Sequence, residues 1–241
     1  MQWERTGPDS RGKDMDAEKE VRTLTNEAYQ KIKQMVLQQR VAPGQRLVYK
    51  DLCEMLNMSR TPIINALNRL EQEHFVASEA FRGFYVKPID VQEAWDLFGV
   101  REALEAYAVE EAIKRADPAD FEALRKKVEA HATYMPLNYN RKKLLLDAEI
   151  HIQIGAMAKN KVLETQIRMN LEHVYLRFRL DHAVPDRMAS AADEHSHLIR
   201  IMEKKDLIGG VDFIRRHVQK ARDYIISCLS SDYEEGQFYQ A

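Results

Sequence analysis

The sequence predicts a mainly α chain in two parts, a module of three helices plus a β-hairpin followed by an antiparallel bundle of six or seven helices. Three observations carry this expectation. The 241 residues exceed one average domain and can support two cores. Helical spacing of apolar residues dominates, and only the stretch 75–86 reads as paired strands. The segment Lys87-Pro88-Ile89-Asp90 separates short elements from long ones, as a linker does.

Residues 1–19 are polar and mixed in charge, and are read as a disordered lead-in without the apolar core of a secretory signal. Ala28, Ile32, Met35 and Val36 recur at helical spacing between Thr25 and Arg40, and Val41-Ala42-Pro43-Gly44 stops that helix. A second helix is expected from Lys50 to Leu56. Asn57-Met58 turns the chain into a third, with Ser59 as its N-cap, Pro62 in its first turn and Ile63, Leu67 and Leu70 on one face. Phe75-Val76-Ala77 and Phe84-Tyr85-Val86 then flank a tip containing Arg82 and Gly83. Helix, helix-turn-helix and hairpin over residues 20–88 make a winged helix-turn-helix.

Behind it, helices are expected at 91–115, 118–133, 141–158, 160–181, 187–204 and 208–229, within a domain spanning 91–230 and followed by a tail, 231–241. The breaks fall at Asp117-Pro118, Tyr134-Met135-Pro136, Lys159-Asn160, Val184-Pro185 and Gly209-Gly210. Short connections of this kind imply antiparallel neighbours.

Composition narrows the function classes. With 45% hydrophobic and 31% charged residues, and no run near the roughly 18 apolar residues of a membrane helix, no membrane span and a cytoplasmic location are expected. Cys53 and Cys228 match no metal or redox spacing and read as buried small hydrophobes, not a disulfide. Residues 20–88 hold ten basic against seven acidic side chains, a balance of +3 in a chain of net charge −2. A slightly basic module on an acidic body suits contact with nucleic acid through a few placed cations.

With Ile63, Leu67 and Leu70 inward, the third helix turns Arg60, Thr61, Ile64, Asn65 and Asn68 outward. Arg60 and Thr61 suit phosphates or a guanine, Asn65 and Asn68 an adenine, and Ile64 a thymine methyl in the major groove; Arg82 and Gly83 suit the backbone or minor groove. A winged helix used for protein contacts would leave Arg60 and Arg82 as ordinary solvated charges.

In the second part, Asp147 and His151 lie four residues apart on the apolar stripe of Leu144, Ala148, Ile154 and Ala158, where a lone carboxylate needs a partner. His195 lies on the stripe of Met188, Ala192, Leu198 and Met202, and His217 among Ile214, Val218 and Ala221. One Asp and three His on three helices suit a single divalent transition metal, Zn, Ni, Fe or Mn, with Zn the first choice. His74, His131, His173, His182 and His197 are read as surface residues.

Pro43-Gly44-Gln45-Arg46-Leu47, Asp51-Leu52 to Leu56, Ser59-Arg60-Thr61-Pro62 to Ala66-Leu67 and Leu70-Glu71 together resemble the signature of the GntR family of bacterial transcriptional regulators. The family usually has Arg-Glu where this chain has Ile64-Asn65, which implies an atypical operator. Phe98 to Arg101 with Glu105, Asp147 to His151 with Asn160, Glu194-His195 and His217 resemble the FCD effector domain of the FadR-like branch, and six helices are similar to its shorter VanR-like subgroup. The resemblance implies that the Asp and three His hold a metal whose open sites face a cavity for a carboxylate, with Arg101 on the inward stripe of Leu97, Leu104 and Ala108 as the effector-binding cation. A buried ion pair with a carboxylate of a neighbouring helix is the other reading of Arg101.

The resulting expectation is a homodimeric repressor that binds double-stranded operator DNA and is released by a small organic acid, and is not an enzyme. A direct metal sensor, a purely structural metal and a non-haem metalloenzyme are the alternatives.

Overall fold

The structure, a computed structural model, describes residues 10–38, 40–80, 83–136, 140–178 and 186–234, with the backbone alone at 10–19, 37, 186–189 and 231–234. The chain divides between Lys87 and Pro88 into two compact units.

The first unit contains α1 (Ser10–Leu37), β1 (Arg46–Leu47), α2 (Tyr49–Leu56), α3 (Arg60–Gln72), β2 (Val76–Glu79) and β3 (Gly83–Val86). Ala28, Ile32, Met35 and Val36 are buried on α1, which packs on α3 and its buried Ile63, Ala66, Leu67 and Leu70. The core therefore follows the helical stripes. Its first helix is longer than periodicity indicates. α1 begins at Ser10, so part of the expected disordered lead-in is helical. Ala17, Glu18, Lys19 and Glu20 are good helix formers, but without an apolar stripe they give periodicity nothing to register.

The expected hairpin gains a third strand, giving an antiparallel sheet in the order β1-β3-β2. Arg46 pairs with Tyr85 and Leu47 with Phe84, while Val76 pairs with Val86 and Glu79 with Gly83. Two residues are too few to show alternation, so β1 was not legible beside Pro43-Gly44. Gly83 opens β3 at φ 77°, a left-handed conformation that a side chain disfavours. Arg69 is tied to α1: its guanidinium lies 4.0 Å from the Tyr29 ring centroid and donates to Asn26 and Glu73.

The second unit contains six helices among the described residues: α4 (Val91–Arg115), α5 (Pro118–Thr133), α6 (Arg141–Met157), α7 (Lys161–Arg177), α8 (Asp186–Glu203) and α9 (Leu207–Glu234). Four of them start on polar caps. Asp90 accepts from the Glu93 amide, Asn140 from Lys143 and Asn160 from Leu163, while Asp117 forms a reciprocal capping box with Asp120 around Pro118. Each cap satisfies amide donors that the helix cannot.

α6 packs against α4, α5 and α7, and α4 lies along α9. The α4–α9 approach depends on Gly210, where an added Cβ would come within 2.9 Å of the Ile113 Cδ1 atom. Phe98, Val109, Leu124, Ile150, Ile154, Met157, Val174, Leu198, Met202 and Ile214 belong to one apolar core. Cys228 is buried, but Cys53 is only half-buried, because α2 is short and buries Leu52 alone. The two cysteines form no disulfide. No described helix is long and apolar enough to cross a membrane.

Candidate functional site

Within the second unit, polar groups converge where α6 meets α8 and α9. Asp147 and His151 project from α6, His195 from α8 and His217 from α9. All four are buried, and one ligand atom from each falls within 4.8 Å of the others. Ligands on a tetrahedral ion with bonds of about 2.1 Å stand about 3.4 Å apart, so the four side chains must draw together to hold one cation. The ring centroids of His195 and His217 are 4.8 Å apart, and those of His151 and His195 5.2 Å.

The surroundings of the rings fit a metal-ligating role. His217 donates its Nδ1 proton to Glu194 at 2.7 Å, which leaves Nε2 as the lone-pair nitrogen facing the cluster. His151 Nδ1 lies 2.7 Å from Glu105, in ion-pair range but off the hydrogen-bonding direction. Neither ring nitrogen of buried His195 has a hydrogen-bond partner, an expensive state for an imidazole unless something else takes a lone pair. Burial pushes His195 well below its ordinary pKa, with neighbouring His217 adding to the effect, and burial likewise lowers His217. Neutral rings are the form a cation binds. Burial alone would raise Asp147, but the rings of His151, His195 and His131 around it hold it well below the carboxylate range.

His131 corrects the sequence reading. Expected at the surface, it is 2% exposed on α5, with Nε2 4.0 Å from Asp147 and its ring 5.2 Å from that of His195. The signal was present: Leu124, Val128 and His131 follow one helical stripe, and all three are buried. His197 is exposed as expected, His74 is exposed and His173 half-buried, while His182 lies outside the described residues. Tyr175 was also missed. Its hydroxyl donates to Asp147 Oδ2 at 2.5 Å.

Arg101 is fully buried and pairs with Glu105 of its own helix at 2.5 Å, not with a carboxylate from a neighbouring one. It also donates to Tyr175 Oη at 3.2 Å and to His151 Nε2 at 3.0 Å. Burial alone would raise Glu105, but Arg101 and His151 hold it down at about 2. Beside the cluster lies a cavity of about 30 Å³ lined by Phe98, His131, Leu144, Asp147, Tyr175 and His217 among others. That is room for about one water.

In the first unit, Arg60, Thr61, Asn65 and Asn68 are exposed on α3 and Ile64 half-exposed, as the stripe requires. Arg60 lies over the exposed ring of Tyr49 from α2, with its guanidinium carbon 4.4 Å from the centroid. That contact limits where the guanidinium can point. Gly83 is exposed at the start of β3, and Arg82 lies outside the described residues.

The chain matches the family model for the FCD domain over residues 96–220 and that for bacterial regulatory proteins of the gntR family over residues 24–86. The chain belongs to the GntR family, with an FCD domain. A GntR regulator of this kind binds DNA and regulates transcription; it is not an enzyme. The Nta operon transcriptional regulator of Aminobacter aminovorans is 26% identical over 187 residues, 78% of this chain and 87% of that protein. YdhC of Bacillus subtilis, an uncharacterised HTH-type transcriptional regulator, is 21% identical over 87% of this chain and 92% of its own. Among solved structures, McbR/YncC of E. coli superimposes with a TM-score of 0.74 at 21% identity, covering 87% of this chain and 98% of that one, which shows a shared fold.

Proposed function

We propose that this GntR regulator is a homodimeric repressor acting in the cytoplasm, whose FCD domain senses a small organic acid at a metal centre. Asp147, His151, His195 and His217 would hold one divalent transition metal per chain, with Zn the first candidate. The observation that carries this is His195, fully buried with both ring nitrogens lacking a hydrogen-bond partner beside a buried carboxylate. When bound, the metal supplies a Lewis-acidic site for an anionic oxygen. Arg101, whose guanidinium lies 3.0 Å from His151 Nε2, would share the effector's carboxylate.

On the DNA side, Arg60, Thr61, Ile64, Asn65 and Asn68 of α3 would enter the major groove, with Arg82 and Gly83 at the wing. Paired in a dimer, two such helices would read a pseudo-palindromic operator. A cavity of about 30 Å³ does not accommodate an organic acid as it stands, so entry of one must displace side chains of the bundle. That displacement is the coupling to DNA affinity, typically about 1–3 kcal/mol or roughly 5- to 150-fold. The same small cavity favours a second reading, in which the metal alone is the effector.

Thermal denaturation of metal-loaded and chelated protein against a panel of small carboxylates separates the two. Stabilisation by an acid that disappears on chelation and in Arg101→Ala supports acid sensing. Stabilisation by metal alone, with operator binding reversed by chelator, supports metal sensing and removes the acid from the mechanism.

A further inference from the structure

Among the described residues of the FCD domain, the buried Arg141 has no counter-charge. Arg141, the first residue of α6, is 6% exposed, and its Nη2 donates to the carbonyl of Leu176 at 3.0 Å. Its Nε and Nη1 atoms have no partner, and no carboxylate among the described residues lies in ion-pair range of it. The other buried arginines differ: Arg101 is paired with Glu105, and Arg177 with Glu93. Two residues on, Lys143 is completely buried and bonds the carbonyls of His131 and Tyr134, again with no carboxylate in ion-pair range among the described residues.

Both cations stand at the amino end of a 17-residue helix whose first turn contains no acidic residue. The helix dipole adds positive potential there. Arg141 does not itself line the cavity, but its neighbours do. Leu144, one turn after Arg141 on α6, lines it, as do Tyr175 and Phe178 on either side of the segment that Arg141 bonds.

We propose that Arg141 forms a second anion subsite at the edge of this cavity, so that the acid sensed by the bundle carries two anionic groups. The inference rests on the acid-sensing reading above and adds the substrate class to it: a short-chain dianion, one end at the metal centre and Arg101, the other at Arg141. Arg141 and Asp147 are six residues apart on α6, an axial rise of about 9 Å at about 1.5 Å each. An anion at Arg141 supplies the counter-charge that the described residues do not, and a buried guanidinium without one costs stability.

The test uses full-length protein and two probes. With metal removed by chelator and ionic strength held constant, inorganic phosphate raises the melting temperature saturably in wild type and in Arg101→Gln. The rise disappears in Arg141→Gln and is partial in Arg141→Lys, which keeps the charge but loses the fork. Without phosphate, Arg141→Gln melts at or above the wild-type temperature. No response in wild type, an equal response in Arg141→Gln, or a lowered ligand-free melting temperature with the response retained overturns the subsite and leaves Arg141 as a cap on α7. In a second series on metal-loaded protein, succinate stabilises more than butyrate, and Arg141→Gln abolishes that preference. A preference that survives in the variant sinks the subsite alone. A phosphate response lost in Arg141→Gln, with no response to either acid, sinks the acid-sensing reading while the anion site stands.

Discussion

Tyr175 donates its phenolic hydrogen to Oδ2 of Asp147 at 2.5 Å, joining α7 to the carboxylate at the centre of the histidine cluster. Oδ1 is left 3.5 Å from His195 Nε2, while Oδ2 itself lies 3.6 Å from His151 Nε2. Outer partners of this kind typically change metal affinity by about 10–100-fold. Tyr175→Phe is therefore expected to weaken metal binding by that order, measured by chelator competition, with the helical circular dichroism unchanged. Equal affinity would show that the hydroxyl does not orient Asp147.

Stability should fall with acid in chelated protein. Burial pushes His131 down to about 4, and His195 and His217 are lowered as well, so the folded chain holds these rings neutral where the unfolded chain protonates them. Their effect is absent above about pH 6.5 and destabilises progressively as pH falls from there toward 4, by about 3 kcal/mol for His131 alone. His131→Asn should flatten the melting-temperature profile over that window. A profile as steep as wild type would mean that His131 is not held neutral.

Arg60→Ala is expected to weaken binding to an operator selected from random DNA by about 1–3 kcal/mol, with an unchanged melting temperature. Tyr49→Leu, which removes the ring beneath that guanidinium, should act in the same direction and less strongly. Fluorescence anisotropy at two salt concentrations reads both. Wild-type affinity in Arg60→Ala would take this residue out of the interface.

Arg177 grips the start of the bundle. It is buried at the end of α7, forms a two-pronged pair with Glu93 and donates to the carbonyl of Pro88 at 3.1 Å. Arg177→Gln leaves Glu93 without that partner and should lower stability by about 2–3 kcal/mol, less than a fully buried pair because Glu93 is partly exposed. Urea denaturation measures it; an unchanged midpoint would mark the pair as energetically neutral.

The bundle's helices were legible because their boundaries carry strong local chemistry. Asp117-Pro118 and Asn160 cap where polar residues break the apolar stripe, and four inward groups on those stripes, Asp147, His151, His195 and His217, do meet. What periodicity hid was of two kinds. β1 and the first turns of α1 have too few apolar residues to make a pattern. Glu105 and Tyr175 act through atoms whose positions depend on how α4, α6 and α7 pack, which single-helix spacing does not encode. Arg141 shows the limit most clearly: at the first position of a helix an arginine reads as solvated, and only its surroundings reveal a buried charge.

The pairing of α4 with α9 sets an order of events during synthesis. α4 opens the bundle and α9 closes it, with four helices between them in the chain. At about 5–20 residues per second, roughly 7–30 s separate completion of β3 from completion of α9. For that interval the winged helix is whole while α4 lacks the wall it needs. A nascent chain thus has a finished DNA-binding unit before it has a finished FCD domain, and a transcript truncated ahead of α9 yields the former without the latter.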